Sequence, residues 1–214
     1  MLRWKRVEVT GGFLLMTAAL YYLDDQGLLL WAGLAAALHE LGHLAAIYGL
    51  GGRVARLRLS AAGAEMVLSA SRTLGPGAQF LAALSGPVTN LAFASLSAGL
   101  GTYLGEEAYL FAGLNLGLAA FNLLPMEQLD GGRLVYQLVA LFSSPHTAAR
   151  AVRAVSILTA AALLLGGAAL LWTTRANFTL LVTAAWLAAS LYRPKRRKSY
   201  RFCLQTRASC GIIL

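Results

Sequence analysis

The sequence has little charge and very little cysteine. Only 13% of its 214 residues are charged, against roughly 25% in soluble globular domains, and 58% are hydrophobic. A soluble domain of this size could not bury so much apolar surface, so the composition excludes that class and favours an integral membrane protein. Cys203 and Cys210 have no partners at metal-ligand spacing, and we interpret them as inert thiols.

Acidic residues are also scarce, with 9 Asp and Glu against 18 Lys and Arg and a net charge of +9. Such an excess can indicate nucleic-acid binding. Here, however, the basic residues gather at the ends of apolar segments and in the run from Arg193 to Lys198, which is the pattern of membrane orientation. We therefore predict no nucleic-acid partner and expect the tail to contact anionic lipid on the cytoplasmic leaflet.

Six apolar segments reach or approach the roughly 20 residues that a membrane-spanning helix needs. They lie at about 9–23, 27–50, 76–100, 107–142, 150–173 and 176–192. The first is short, so its full crossing is left open. The sequence predicts an all-α integral membrane fold of six transmembrane helices in one domain, residues 1–192, followed by a basic cytoplasmic tail, residues 193–214.

The charged residues orient these segments. If the N-terminus is cytoplasmic, 16 of the 18 Lys and Arg fall on the cytoplasmic side, as the positive-inside rule requires. Asp24, Asp25, Glu106 and Glu107 then lie on the other side. We predict a multi-pass protein with both termini in the cytoplasm.

The connection after the second segment alternates weakly between basic and apolar residues over 53–68, with a turn at Gly63. This pattern predicts a small hairpin at the cytoplasmic face of the membrane. An irregular interfacial loop is an equally weighted alternative.

The segment 107–142 is too long for one crossing and contains Pro125, Gly131 and Gly132 in its interior. A regular helix cannot pass Pro125 without a kink. Irregular backbone at membrane depth is tolerated only where protein covers it or where it lines a wet cavity. The break therefore indicates a functional region.

The strongest motif is His39-Glu40-Leu41-Gly42-His43, within the second apolar segment. Residues four apart on an α-helix are offset by about 40° and about 6 Å along the axis, so both imidazoles can bind one metal ion. Glu40 lies beside them and can accept a proton from water, which is the arrangement of zinc proteases. The alternative is chance, but three ionisable groups within one apolar span are costly and usually functional.

A catalytic zinc ion needs a third protein ligand, and the apolar segments offer Glu127 and Asp130. Asp130 could instead cap the helix that follows it. We favour Asp130 over Glu127, because the start of a helix holds a ligand more rigidly than an irregular loop does. We favour it over His146 because His146 lies about 16 residues further on, roughly 20 Å away if that stretch is helical. We interpret His146 as an interfacial residue in a polar loop.

Three motifs together resemble those of the site-2 proteases, a family of intramembrane zinc metalloproteases. They are HELGH from His39 to His43, SGPVTN from Ser85 to Asn90 and NLLPMEQLDGG from Asn122 to Gly132. The layout without an inserted PDZ domain is most similar to the stage IV sporulation protein FB branch. The resemblance implies a three-span catalytic core in a bacterial cell membrane.

The resemblance also implies roles for four ionisable residues of the motifs. His39, His43 and Asp130 would bind one Zn²⁺ per chain, and Glu40 would act as the general base.

Four further residues are implied as a substrate-binding site. Asn122 would hold the substrate backbone near the metal, and Gly86, Pro87 and Asn90 would shape the site from the third span. A simple helix-packing role is the alternative for Gly86 and Pro87.

The predicted function is zinc-dependent hydrolysis of a peptide bond in a membrane-embedded or membrane-tethered protein, near the cytoplasmic face, as in regulated intramembrane proteolysis. The resemblance implies a single-span or membrane-associated protein substrate, such as a sporulation sigma-factor precursor, and membrane-protein regulators. Two alternatives stay open. One is a membrane metal transporter, which would need ionisable groups along a path through the membrane, and the other is a catalytically silent homologue that binds membrane partners.

Overall fold

The computed structural model of the chain describes residues 2–4, 7–60, 63–69, 74–176 and 178–192. These residues form strands and helices with the following bounds: β1 Leu2–Trp4, β2 Val7–Val9, α1 Gly11–Tyr22, α2 Leu28–Gly49, β3 Val54–Ser60, β4 Gly63–Leu68, α3 Pro76–Leu104, α4 Glu106–Asn122, α5 Asp130–Phe142, α6 Pro145–Thr174 and α7 Thr179–Tyr192. The predicted basic tail, with both cysteines, lies outside the described residues.

Three of the described helices, α2, α3 and α6, are long and apolar enough to cross a membrane, and α1 and α7 are shorter apolar helices. The predicted segments therefore coincide with helices, whereas the count of six crossings stays a prediction. The segment 107–142 is broken, as predicted: α4 ends at Asn122 and α5 begins at Asp130.

The predicted hairpin is confirmed, since β3 and β4 pair antiparallel. The all-α description is nevertheless incomplete, because the N-terminal residues extend the hairpin into a four-stranded sheet of order β1-β2-β3-β4. Strand β2 runs parallel to β3 and antiparallel to β1. Strands of three residues are too short to show the alternation of side chains by which strands are recognised in a sequence.

The described residues up to Ala120 form one compact unit, in which the sheet packs on the ends of α2 and α3. Its buried cluster joins Ile47 of α2, Val54 of β3, Met66 of β4, Ala82 of α3 and Leu74, which precedes α3. Helices α2 and α3 approach closely at Gly42, where a Cβ would lie 2.9 Å from the carbonyl oxygen of Ser85. Small residues allow such close packing of helices in membranes.

The described residues from Phe121 onward form a second compact unit. It contains the loop 123–129 and helices α5, α6 and α7. Its buried cluster brings the loop residues Met126 and Leu129 against Ala160 of α6 and Leu187 of α7. The irregular segment is therefore covered by helices, as backbone at membrane depth requires.

Candidate metal centre

His39 and His43 lie one turn apart on α2, and both are buried, at 5% and 3% exposure. Their Nε2 atoms are 3.1 Å apart. The i, i+4 spacing thus brings the two rings together as the sequence predicts.

The other ring nitrogen of His43, Nδ1, lies 2.7 Å from the carbonyl oxygen of Ala82 in α3. A carbonyl oxygen only accepts hydrogen bonds, so Nδ1 of His43 carries the proton. Pro87 lies inside α3 and is buried. Proline has no amide proton to donate to the carbonyl four residues earlier, and its ring displaces that turn of the helix. Pro87 therefore disturbs α3 beside Ala82, whose carbonyl accepts the hydrogen bond from His43.

Nδ1 of His39 lies 2.5 Å from Oδ1 of Asn90. The amide nitrogen of Asn90 donates to the carbonyl of Ala35 at 3.1 Å and to Oδ1 of Asn115 at 2.7 Å. The amide orientation of Asn90 is therefore assigned by its partners, and its Oδ1 is an acceptor. It follows that Nδ1 of His39 also carries a proton.

The two protonated Nδ1 atoms leave the lone pairs of neutral His39 and His43 on Nε2, and these face each other. Two lone pairs at 3.1 Å repel unless a proton or a cation lies between them. Two nitrogens bound to tetrahedral zinc at about 2.0–2.1 Å are themselves about 3.3 Å apart. The separation and the tautomers thus fit a shared zinc ion.

Gly86 faces the His43 ring from α3. A Cβ at this position would lie 2.6 Å from Cε1 and 2.8 Å from Cδ2 of that ring, which is closer than carbon atoms can approach. Any side chain here would displace the imidazole, so only glycine leaves His43 in place.

Glu40 follows His39 on α2 and is half-buried. Glu40 is thus one residue from His39 and three from His43, and it is more exposed than either histidine.

Asp130 is the first residue of α5 and is buried at 3% exposure. Leu129 occupies the N-cap position, without a side-chain cap hydrogen bond, so Asp130 lies one residue inside the helix. One carboxylate oxygen of Asp130, Oδ1, accepts a hydrogen bond from Nη1 of Arg133 at 2.8 Å. Arg133 thereby fixes the rotation of the carboxylate.

The loop before Asp130 folds tightly onto the start of α5. A Cβ at Gly131 would overlap the carbonyls of Leu123 and Leu124, and one at Gly132 would overlap the carbonyl of Met126. Both glycines are therefore required by close backbone contact.

Ser156 of α6, fully buried, binds the same loop. Its hydroxyl accepts from the amide of Glu127 at 2.9 Å and donates to the carbonyl of Pro125 at 3.5 Å. These two bonds satisfy the amide of Glu127 and the carbonyl of Pro125, which lie in the irregular loop and not in a helix.

His39 and His43 lie in the first unit and Asp130 lies in the second, and all three side chains are buried. Two imidazoles and one carboxylate are a donor set of catalytic zinc. With the tautomers of both histidines, this donor set fits zinc.

The remaining residues of interest lie as follows. Asn122 ends α4 and is half-buried, Glu127 is half-buried in the loop, and His146 is exposed. His146 lies in the first turn of α6 and not in a loop, because Ser144 and Pro145 start that helix. The substrate-binding role of Asn122, Gly86, Pro87 and Asn90 stays a prediction, although Gly86 and Asn90 contact the histidines directly.

Sequence reasoning missed Asn115, Ser156 and the contact between Arg133 and Asp130. The cost of burying polar groups in lipid-spanning helices singles out Asn115, which lies among apolar residues of α4. Nothing local in the sequence names its partner, 25 residues away in Asn90.

Residues 105–166, less than a third of the chain, match the model of Peptidase family M50. This segment includes Asp130 but neither histidine. No curated protein matches the chain.

Among solved structures, the chain is similar to the Site-2 Protease from Methanocaldococcus jannaschii, with a TM-score of 0.66 and 18% sequence identity. The similarity covers 89% of this chain and 92% of that chain. The chain is therefore an apolar, mostly helical membrane protein with the fold of a site-2 protease and a segment that matches Peptidase family M50.

Proposed function

We propose that the protein is a zinc-dependent intramembrane endopeptidase of the site-2 protease kind. The observation that carries the proposal is the pair of buried histidines on α2, held with both Nδ1 atoms bound and the Nε2 atoms 3.1 Å apart. The match to Peptidase family M50 supports peptide hydrolysis as the reaction.

His39, His43 and Asp130 would hold the zinc ion. When bound, zinc supplies a Lewis acid that polarises a carbonyl group and acidifies water. The bonds from Asn90 and Ala82 to the two rings, and from Arg133 to the carboxylate, orient the three ligands before the ion binds.

Glu40 would act as the general base. It accepts a proton from the water that attacks the scissile carbonyl, and it returns that proton to the nitrogen as the C–N bond breaks. The half-buried position of Glu40 supports this role, because the carboxylate must meet water in an otherwise apolar surrounding.

Cleavage would take place near the cytoplasmic face. His43 and His39 lie six and ten residues before the end of α2 at Gly49, which is about 9–15 Å at 1.5 Å per residue. That end is followed by Arg53, Arg56 and Arg58, which supports a cytoplasmic location by the positive-inside rule. Both termini would then be cytoplasmic, which reporter fusions after Tyr192 test.

The substrate would be a membrane-embedded or membrane-tethered protein, unwound at the cleavage site, because a helix hides its carbonyls in internal hydrogen bonds. Strand β4 lies at an edge of the sheet. An extended substrate segment would pair with it by strand addition, and Asn122 would hold the substrate nearer to the zinc.

The narrower assignment is to regulated intramembrane proteolysis in a bacterial cell membrane, with membrane-protein regulators and with a sporulation sigma-factor precursor as substrate. Its support is the resemblance in layout to the stage IV sporulation protein FB branch. The run from Arg193 to Lys198 would bind anionic lipid.

The proposal is tested by reconstituting the purified protein in lipid nanodiscs with candidate substrates. These include single-span membrane proteins and a tethered sigma-factor precursor. We expect defined fragments that disappear after zinc is removed by a chelator and return when zinc is restored. Zinc-independent fragments, or the same fragments from Glu40→Gln protein, would contradict it.

A further inference from the structure

Asn115 of α4 begins a chain of hydrogen bonds that ends at His39. Its side chain is fully buried. The amide nitrogen of Asn115 donates to the carbonyl of Phe111, one turn earlier in the same helix, at 2.8 Å. Its oxygen is thereby directed away from that carbonyl and accepts a hydrogen bond from the amide nitrogen of Asn90 at 2.7 Å.

The bond from Asn115 decides which way the Asn90 amide points. An asparagine amide can rotate by 180° and exchange its oxygen and nitrogen. In Asn90 this rotation would place the oxygen against the oxygens of Ala35 and Asn115, which are both acceptors. Without the oxygen of Asn115, only one of these two repulsive contacts would oppose the rotation.

The orientation of Asn90 in turn decides the tautomer of His39. With the oxygen of Asn90 toward the ring, Nδ1 of His39 donates and the lone pair is on Nε2. With the amide nitrogen toward the ring, Nδ1 would have to accept, and the proton would move to Nε2, where it blocks metal binding.

His43 needs no such support. Its Nδ1 donates to a backbone carbonyl, that of Ala82, which cannot exchange a donor for an acceptor. The bond from Nδ1 of His39, by contrast, is made to a side-chain amide and depends on its orientation.

We propose that Asn115 is a positioning residue that holds His39 in the tautomer with its lone pair on Nε2. The inference rests on the proposed function only in taking Nε2 of His39 to be a zinc ligand. The tautomer itself is a property of the metal-free protein.

The tautomer is measured by ¹⁵N NMR of metal-free protein labelled at histidine, which has three histidine side chains to assign. We expect wild-type His39 and His43 to be protonated at Nδ1. In Asn115→Leu, His39 should shift toward Nε2 protonation while His43 keeps its tautomer. Zinc affinity, measured by chelator competition, should fall by about 10- to 100-fold.

Two further variants separate positioning from folding. Asn115→Ser can bond to the carbonyl of Phe111 within its own helix, but it is too short to reach Asn90, so it should behave like Asn115→Leu. Asn115→Asp keeps an oxygen that accepts from Asn90, so His39 should retain the wild-type tautomer and most of the zinc affinity.

An unchanged His39 tautomer in folded Asn115→Leu or Asn115→Ser protein would overturn the inference, as would equal shifts of His39 and His43. If Asn115→Leu does not fold, the Asn115→Ser spectrum decides. Absence of proteolysis in wild-type protein would contradict the proposed function and leave the NMR result standing, so the two failures are distinguishable.

Discussion

The two histidines and Asp130 are held in different ways. His39 and His43 lie in the middle of a long helix, and side-chain and backbone groups of the neighbouring helix fix both rings. Asp130 follows an irregular loop, which is held by one serine hydroxyl and two glycines, and its carboxylate is fixed by an arginine one turn away. The histidines are thus positioned by helix packing and the aspartate by loop closure.

This difference has a physical consequence. Helices in a membrane pack closely where small residues meet. Substitutions that enlarge such a residue should therefore disturb the positions of His39 and His43 most. The loop before Asp130 depends on single hydrogen bonds for its geometry. Loss of a hydroxyl should therefore disturb the position of Asp130, but should reduce zinc binding less than an enlarging substitution beside the histidines.

The largest effect is expected from removing the aspartate itself. Asp130→Ala should lose both zinc and proteolysis, because a catalytic zinc site keeps three protein ligands. Glu127→Ala and His146→Ala should retain most of each, since the first is half-buried in the loop and the second is exposed. Metal analysis of the three purified variants tests this, and full zinc occupancy in Asp130→Ala would assign the third ligand elsewhere.

A smaller loss is expected when volume is added beside His43. In Gly86→Ala the new Cβ overlaps the ring, so the ring must move and zinc affinity should fall by about 10- to 100-fold.

Gly99→Ala is the matched control, on the same helix and with no atom within 4 Å of the added Cβ. It should bind zinc as the wild type does. Equal zinc affinities of Gly86→Ala and Gly99→Ala would show that Gly86 is not needed to position His43.

The smallest effect is expected in the loop. Ser156→Ala leaves the buried amide of Glu127 without its hydroxyl acceptor, which should cost about 1–3 kcal/mol of stability. Zinc affinity should fall only a few-fold, because Arg133 still contacts Asp130.

Thr159→Val provides the comparison on the same helix, since the hydroxyl of Thr159 donates within α6, to the carbonyl of Val155. Chelator competition and thermal unfolding of both variants test the prediction. If the two variants are equally stable and bind zinc equally, Ser156 does not support the loop.

The histidine pair and Asp130 also differ in how fully the sequence predicts their surroundings. The spacing of His39 and His43 is local to one helix, so elementary helix geometry brings their rings together. Pro125 and the two glycines predict the break before Asp130, because they are incompatible with a regular helix of that length.

The supporting contacts could not be predicted, because they join residues far apart in the chain. Ser156 lies 29 residues from Glu127, and Asn115 lies 25 residues from Asn90. A buried polar residue in an apolar helix signals that a partner exists, but the partner depends on how the helices pack. The two N-terminal strands escaped prediction for a related reason: their pairing with β3 is set by tertiary structure and their length is too short for a pattern.

The proposed role of Glu40 as the general base of a zinc peptidase is tested by Glu40→Gln. Glutamine has nearly the same volume but cannot accept the proton of the attacking water. We predict that purified Glu40→Gln binds zinc as fully as the wild type, while substrate cleavage in nanodiscs falls by at least about 100-fold. Cleavage at the wild-type rate by zinc-loaded Glu40→Gln protein would contradict the account.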